Sequence, residues 1–185
     1  MNDSTQGDQI EQFEPNEASL QMVREVLDRY TTSYHEKDGL IVAQISMRKA
    51  PFRCEFHCRG IVWIIIRLRF PAFVEDAFVE QASEFVTRNN SLTPAKLWDF
   101  DFARHDITLC HWFEIQGQDH LAYRFEQMCR TIFLTADAGF APLVSLLSGF
   151  MSAEEASAKT EEAYGKAMDE MENTSDEEES DETFR

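Results

Sequence analysis

The chain has 185 residues, with 34 acidic against 17 basic side chains and a formal net charge of −17. That is length for one domain rather than two. The charge argues against nucleic acid, since a grip on phosphates rests on clustered Lys and Arg, and no basic run here exceeds Arg48-Lys49.

The acidity sits at the ends. Residues 1–19 carry five acids and no base, residues 152–185 carry 13 acids against three bases, and the span 20–151 is nearly neutral at −2. A near-neutral body with 15 Phe and three Trp to draw on has material for an independent core. Its longest apolar stretch, Gly60 to Ile66, is far short of the ~20 residues of a membrane span. The opening Met1-Asn2-Asp3-Ser4 has neither the basic nor the apolar region of a secretory signal. Four cysteines without regular spacing favour reduced thiols and a cytoplasmic address.

In chain order, residues 1–16 are polar and acidic and are expected to be disordered. Leu20, Val23, Val26, Leu27 and Tyr30 then recur at three- and four-residue steps, the spacing of one helix face, with Asn16 placed to cap it. Glu36-Lys37-Asp38-Gly39 has turn chemistry and closes that segment. Leu40 to Met47 reads as a strand apolar on both faces, with Gln44 and Ser46 the exceptions, and Pro51 breaks it. Arg53 to Cys58 alternates, with Cys54, Phe56 and Cys58 on one side and Arg53, Glu55 and His57 on the other. Ile61 to Phe70 is the richest in β-branched residues and completes an antiparallel meander ended by Pro71.

Phe78, Ala82, Phe85 and Val86 mark a second helix from about Val74 to Asn89. Leu97 to Phe102 and Asp106 to Ile115 read as two further strands about a turn near Ala103-Arg104-His105. A long helix is expected from about Asp119, interrupted at Gly139, with Pro142 in the first turn of another that runs through Phe150. Ser152-Ala153-Glu154-Glu155 is a capping box for one more helix. The reading is α+β, order α-β-β-β-α-β-β-α, with a five-stranded antiparallel sheet. Its divisions are a disordered N-terminus 1–16, a domain 17–151, an exposed helical extension 152–171 and a disordered acidic tail 172–185.

Several stretches in this order are similar to the YbjN family, whose fold is that of type III secretion chaperones. They are the opening helix Leu20 to Tyr30 before a strand at Gly39-Leu40, and the meander ending Ile64-Ile65-Ile66-Arg67-Leu68. Arg88-Asn89-Asn90 precedes the aromatic strand Trp98-Asp99-Phe100-Asp101, and the closing run is Ala136 to Leu143, then Ser152 to Ala156. The resemblance spans about 18–156 and leaves the acidic tail unaccounted for. It implies a small dimeric binding protein or regulator without established chemistry, in a fold whose secretion-chaperone examples clasp an extended client segment.

Cys54, His57 and Cys58 invite a zinc or redox reading, yet on a strand His57 points away from the two cysteines, and the spacing is not that of a CxxC pair. Cys110 and Cys129 have nothing in the sequence to bring them to that cluster. His111 shares a strand face with Leu109 and Phe113, and His105 falls in a turn beside Asp106. Asp99 and Asp101 share a strand face that reads as solvated. No GxSxG elbow, HExxH or phosphate loop occurs. No enzyme, cofactor or metal is expected; a thiol- or metal-dependent sensor or enzyme on Cys54, His57 and Cys58 is the alternative.

The strand 61–70 is more informative. Val62, Ile64, Ile66, Leu68 and Phe70 make an unbroken core face, while the opposite face reads Ile61, Trp63, Ile65, Arg67, Arg69. A solvated face is polar throughout, so three large apolar residues followed by two arginines point to a covered surface, and Trp and Arg are enriched at interface centres. The expected function is a non-enzymatic protein-binding module or regulator, itself a homodimer, that engages a protein or peptide partner through this face, against the bland reading that another part of the same chain covers it. The acidic tail adds solubility, screens the arginine face, or attracts a basic partner as an adaptor; Ser175 and Ser180 lie among its acids.

Overall fold

The computed structural model describes residues 16–31, 33–58, 63–92, 97–115 and 120–182, with side chains as far as residue 170. Helix α1 (Glu17–Tyr30) begins where Asn16 accepts from the Ser19 amide at 3.2 Å. It buries Leu20, Met22, Val23, Val26 and Leu27, the stripe the spacing predicts. Strands β1 (Tyr34–Lys37), β2 (Leu40–Ser46), β3 (Pro51–His57) and β4 (Trp63–Phe73) follow. A 3-10 turn at Asp76–Phe78 leads into α2 (Val79–Leu92), then β5 (Trp98–Asp101), β6 (Asp106–Glu114), α3 (Leu121–Leu147) and α4 (Ala153–Glu182).

The fold is α+β, with one six-stranded sheet in the order β1-β2-β3-β4-β6-β5, every pairing antiparallel. The expected count of five strands is corrected to six. The added strand is β1, four residues without a β-branched side chain, which Asp38 (φ 51°) and Gly39 (φ 76°) turn back onto β2. Two positive φ values in a two-residue Asp-Gly loop match the twist of a hairpin, so this turn chemistry joins strands rather than ending a helix. Pro51 opens β3, whereas Pro71 lies inside β4 rather than ending it, and the pairing of β4 with β6 is irregular between Arg69 and Phe73.

The expected break at Gly139 is also corrected: α3 is continuous through Gly139 and Pro142. Gly139 has a packing role. A β-carbon there would stand 2.8 Å from Cζ2 of Trp98 and closer still to Cη2, so only glycine lets the indole lie against the helix backbone. Trp98 is held from the other sides by Phe70, stacked at 5.1 Å, and Phe85, edge-on at 5.1 Å. Among the described residues α3 is the one helix long and apolar enough to cross a membrane, and half of that window is buried inside the fold.

The core lies between the sheet and the helices. Ile41, Ala43 and Ile45 of β2, Phe52, Cys54 and Phe56 of β3, and Ile64, Ile66 and Leu68 of β4 all point into it. Helix α4 opens with the expected capping box, Ser152 Oγ and Glu155 Oε2 at 2.9 Å, and the Glu155 amide on Ser152 Oγ at 3.2 Å. Its first two turns are not the exposed extension expected: Ala153, Ala156, Ser157 and Thr160 are buried. Helix is described as far as Glu182, into the segment 172–185 that reads as acidic tail. Of the expected disordered N-terminus 1–16, only Asn16 lies among the described residues.

Candidate functional site: the outer sheet face

Residues that alternate with the core positions make the opposite face, and strand register places them in rows. Leu40, His57, Ile65 and Trp112 form one row across β2, β3, β4 and β6. Val42, Glu55, Arg67 and Cys110 form the next, and Gln44, Arg53, Arg69 and Thr108 a third. Trp63 stands beyond the first row, opposite Glu114. One end of this face is therefore aromatic and aliphatic and the other carries the arginines. A groove of about 620 Å³ lies over the arginine end, lined by His35, Val42, Gln44, Arg53, Arg69 and Pro71 among others.

Of the five residues expected at a partner surface, Trp63, Ile65, Arg67 and Arg69 lie on this face, and Ile61 lies outside the described residues. Trp63 is 39% exposed. Trp112, not singled out from the sequence, is 59% exposed and meets Trp63 edge-on, with ring centroids 6.4 Å apart. Leu40 and Val42, expected to be buried on both sides of their strand, are half-buried here and widen the apolar end. The alternation Cys110-Trp112-Glu114 carried the signal for Trp112. Its placement beside Ile65 depends on β6 pairing with β4, which periodicity does not reveal.

The arginines are not equivalent. Arg53 is paired with Glu55 at 2.9 Å, and Arg69 with Asp106. Arg67, half-buried between Glu55 and Cys110 in register, has no ion-pair partner within 4 Å among the described residues. It is the cation of this face left for something else to meet.

The cysteine–histidine cluster does not assemble. Cys54 and Cys58 are buried on the helix side, whereas His57 lies on the outer face beside Ile65. Burial pushes the Cys58 thiol up to about 12 and raises those of Cys54 and Cys129 as well, the reverse of what a thiolate nucleophile needs. Cys110 is the accessible thiol, half-exposed on the outer face. Among the described residues no three His, Cys, Asp or Glu are grouped to hold a metal ion.

Other candidates have structural employment. Asp101 accepts from the amides of Ala103 and Arg104 at 2.9 and 3.1 Å and so shapes the β5–β6 turn. Asp99 is an exposed strand residue. The His105 ring, in a positive-φ turn residue, makes a 2.9 Å hydrogen bond between its Nδ1 and the Val74 carbonyl and stacks on Phe73. His111 is on the core-side register between Leu109 and Phe113, and burial lowers its affinity for a proton below the ordinary imidazole value. Asn90 brackets Trp98 with both ends of its amide, at 2.7 and 2.9 Å, while buried Asn89 donates to the Phe85 carbonyl and to Ser157 of α4.

Comparison with known proteins returned no matching family model, no matching curated protein and no matching solved structure.

Proposed function

We propose that this chain is a non-enzymatic, cytoplasmic protein-binding module of the YbjN and type III secretion chaperone type, whose outer sheet face holds an extended apolar-and-acidic segment of a protein partner. The observation that carries this reading is the face itself, with Trp63, Trp112, Ile65 and Leu40 gathered at one end and Arg67, without an ion-pair partner among the described residues, beyond them. The buried residues of the helices cluster with the strand positions that face the opposite side. Exposed aromatics beside an arginine are the composition of an interface centre.

Charge favours a partner over a second copy on this face. A two-fold dimer lays one patch against the same patch, and centred on Arg67 it brings that arginine toward its own duplicate. An acidic segment neutralises Arg67 instead.

The test is an array of 12-residue peptides carrying apolar residues at one end and acids at the other, probed with the full chain and with Trp63→Ala. Peptides in this class bind the full chain, and the folded variant binds at least about tenfold more weakly, the loss of one interface tryptophan. Absence of binding across the class, or undiminished binding by the variant, overturns the reading. Light scattering on the same proteins identifies the competing occupant: a dimer that Trp63→Ala dissociates assigns the face to a second copy.

A further inference from the structure

Helix α2 buries Ala82, Phe85, Val86 and Asn89 and turns its other side outward, where a groove of about 590 Å³ runs along it. Two rows at four-residue spacing line this groove. Val79, Ser83 and Thr87 are short, and Val79 and Ser83 share their side of the helix with Asn90, which holds Trp98 of β5. Glu80, Glu84 and Arg88 are long and lie toward α4, where Arg88 meets Glu154 at 3.7 Å. The short row is therefore the floor between the long row and the β5–β6 turn.

Phe102 lines the groove from that turn. It is 61% exposed, yet its neighbours fix it. Its ring rests on that of buried Phe100, with centroids 4.6 Å apart, and Asp101 pins the turn through the amides of Ala103 and Arg104. An aromatic ring already held in place enters a contact with little loss of side-chain freedom. In the floor, Thr87 donates its hydroxyl to the Ser83 carbonyl at 2.9 Å, which leaves its methyl group to be covered.

The charge of the groove is acidic. Glu80, Glu84 and Glu154 stand against Arg88 alone, which is paired with Glu84 at 2.7 Å and with Glu154. Glu80 has no ion-pair partner within 4 Å among the described residues. This is the reverse of the outer sheet face, where arginines stand beside the tryptophans. The formal net charge of −17 adds a long-range pull on cations.

The geometry points to a second docking surface, in which the α2 groove takes a short basic amphipathic helix of a protein partner. Aliphatic side chains of that helix cover Phe102 and Val79, and its lysines or arginines meet Glu80 and Glu84, the arrangement of a helix laid in a groove. A cationic stem crossing the Phe102 ring adds a cation–π contact. From Val79 to Arg88 the lined stretch is about 13 Å long at 1.5 Å per residue, which two to three turns of a partner helix match. The proposal stands independently of the sheet face, and with both surfaces one molecule holds an acidic and a basic segment at once.

The probe is a labelled 14-residue peptide built as an amphipathic helix, with leucines along one edge and lysines beside them. Fluorescence anisotropy follows its titration into the full chain and into Phe102→Ala, Glu80→Lys and Trp63→Ala, each checked for folding by circular dichroism. Saturable binding is expected, weakened at least about tenfold by Phe102→Ala, which leaves every charge in place. Glu80→Lys is expected to weaken it about threefold, the worth of an exposed ion pair, and Trp63→Ala to leave it unchanged. Glu80 is an exposed helix position, so its variant keeps the test decisive should Phe102→Ala fail to fold.

No binding overturns the proposal. So does binding that either folded groove variant leaves undiminished, which assigns the peptide to acidic residues elsewhere, or binding that Trp63→Ala abolishes, which assigns it to the sheet face. Light scattering tests the other occupant: a dimer that Phe102→Ala dissociates gives the groove to a second copy and overturns the proposal as well. The reading of the sheet face is decided separately, by acidic peptides and their dependence on Trp63.

Discussion

At the residue scale, Gly139 and Trp98 decide how the helical layer seats on the sheet. The indole packs between Phe70 and Phe85 and presses against the α3 backbone at the one position without a β-carbon. A methyl group there meets two ring carbons that cannot move without disturbing both phenylalanines. Gly139→Ala is therefore expected to destabilise the fold by about 1–3 kcal/mol, the cost of overpacking, even though alanine is the better helix former by about 1 kcal/mol. Urea denaturation measures it, and a stabilised variant would mean the contact is loose. The asparagine pair works beside this contact. Asn90 supplies both a donor and an acceptor to Trp98, as a neighbouring strand would, and Asn89 ties α2 to α4 through Ser157. The sequence makes Asn89 and Asn90 conspicuous, but their partners lie eight and 68 residues away, beyond what local spacing reveals.

At the scale of elements, the amphipathic stripe of α1, the alternation in β3, the apolar face of β4 and the capping box of α4 were all legible, because each is a local period or a local bond. The misreadings share one cause: tertiary partners overrode local punctuation. β1 is polar and short, and it exists because Asp38-Gly39 folds it onto β2. Helix α3 passes Gly139 and Pro142 because packing on the sheet and on α4 holds it through both. The buried face of α4 is made of Ala153, Ala156, Ser157 and Thr160, residues small enough for close helix contact but without the large apolar side chains that announce burial. The start of α4 carries a testable weight. Hydrogen bonds from Ser152 hold the Glu155 carboxyl below its ordinary value, so this contribution is present above the unfolded carboxylate value near 4.5 and is lost as pH falls through the folded one. Ser152→Ala is expected to cost about 1 kcal/mol, as loss of an N-cap does, with the difference from the parent shrinking in acid. Thermal unfolding at neutral and acid pH reads both, and an equal difference at the two pH values contradicts the capping account.

At the scale of the whole molecule, the fold is one-sided. The helices stack on one face of a six-stranded sheet and leave the other to carry tryptophans, aliphatic residues and arginines. The sequence located this face on one strand through Trp63, Ile65, Arg67 and Arg69. It did not reveal that Trp112, Leu40 and Val42 extend it or that Glu55 and Asp106 neutralise two of the arginines, because both depend on which strands become neighbours. What remains among the described residues is an apolar patch with one arginine, Arg67, lacking an ion-pair partner, and on the proposed reading it takes segments that combine apolar and acidic residues. The most direct measurement is a fluorescence anisotropy titration of a labelled 12-residue peptide, apolar at one end and acidic at the other, into the full chain and into the same protein with Trp63→Ala. Saturable binding to the first, weakened at least about tenfold by loss of Trp63 and reduced as salt screens Arg67, is the predicted result. No binding, or equal binding to both folded proteins, would contradict it.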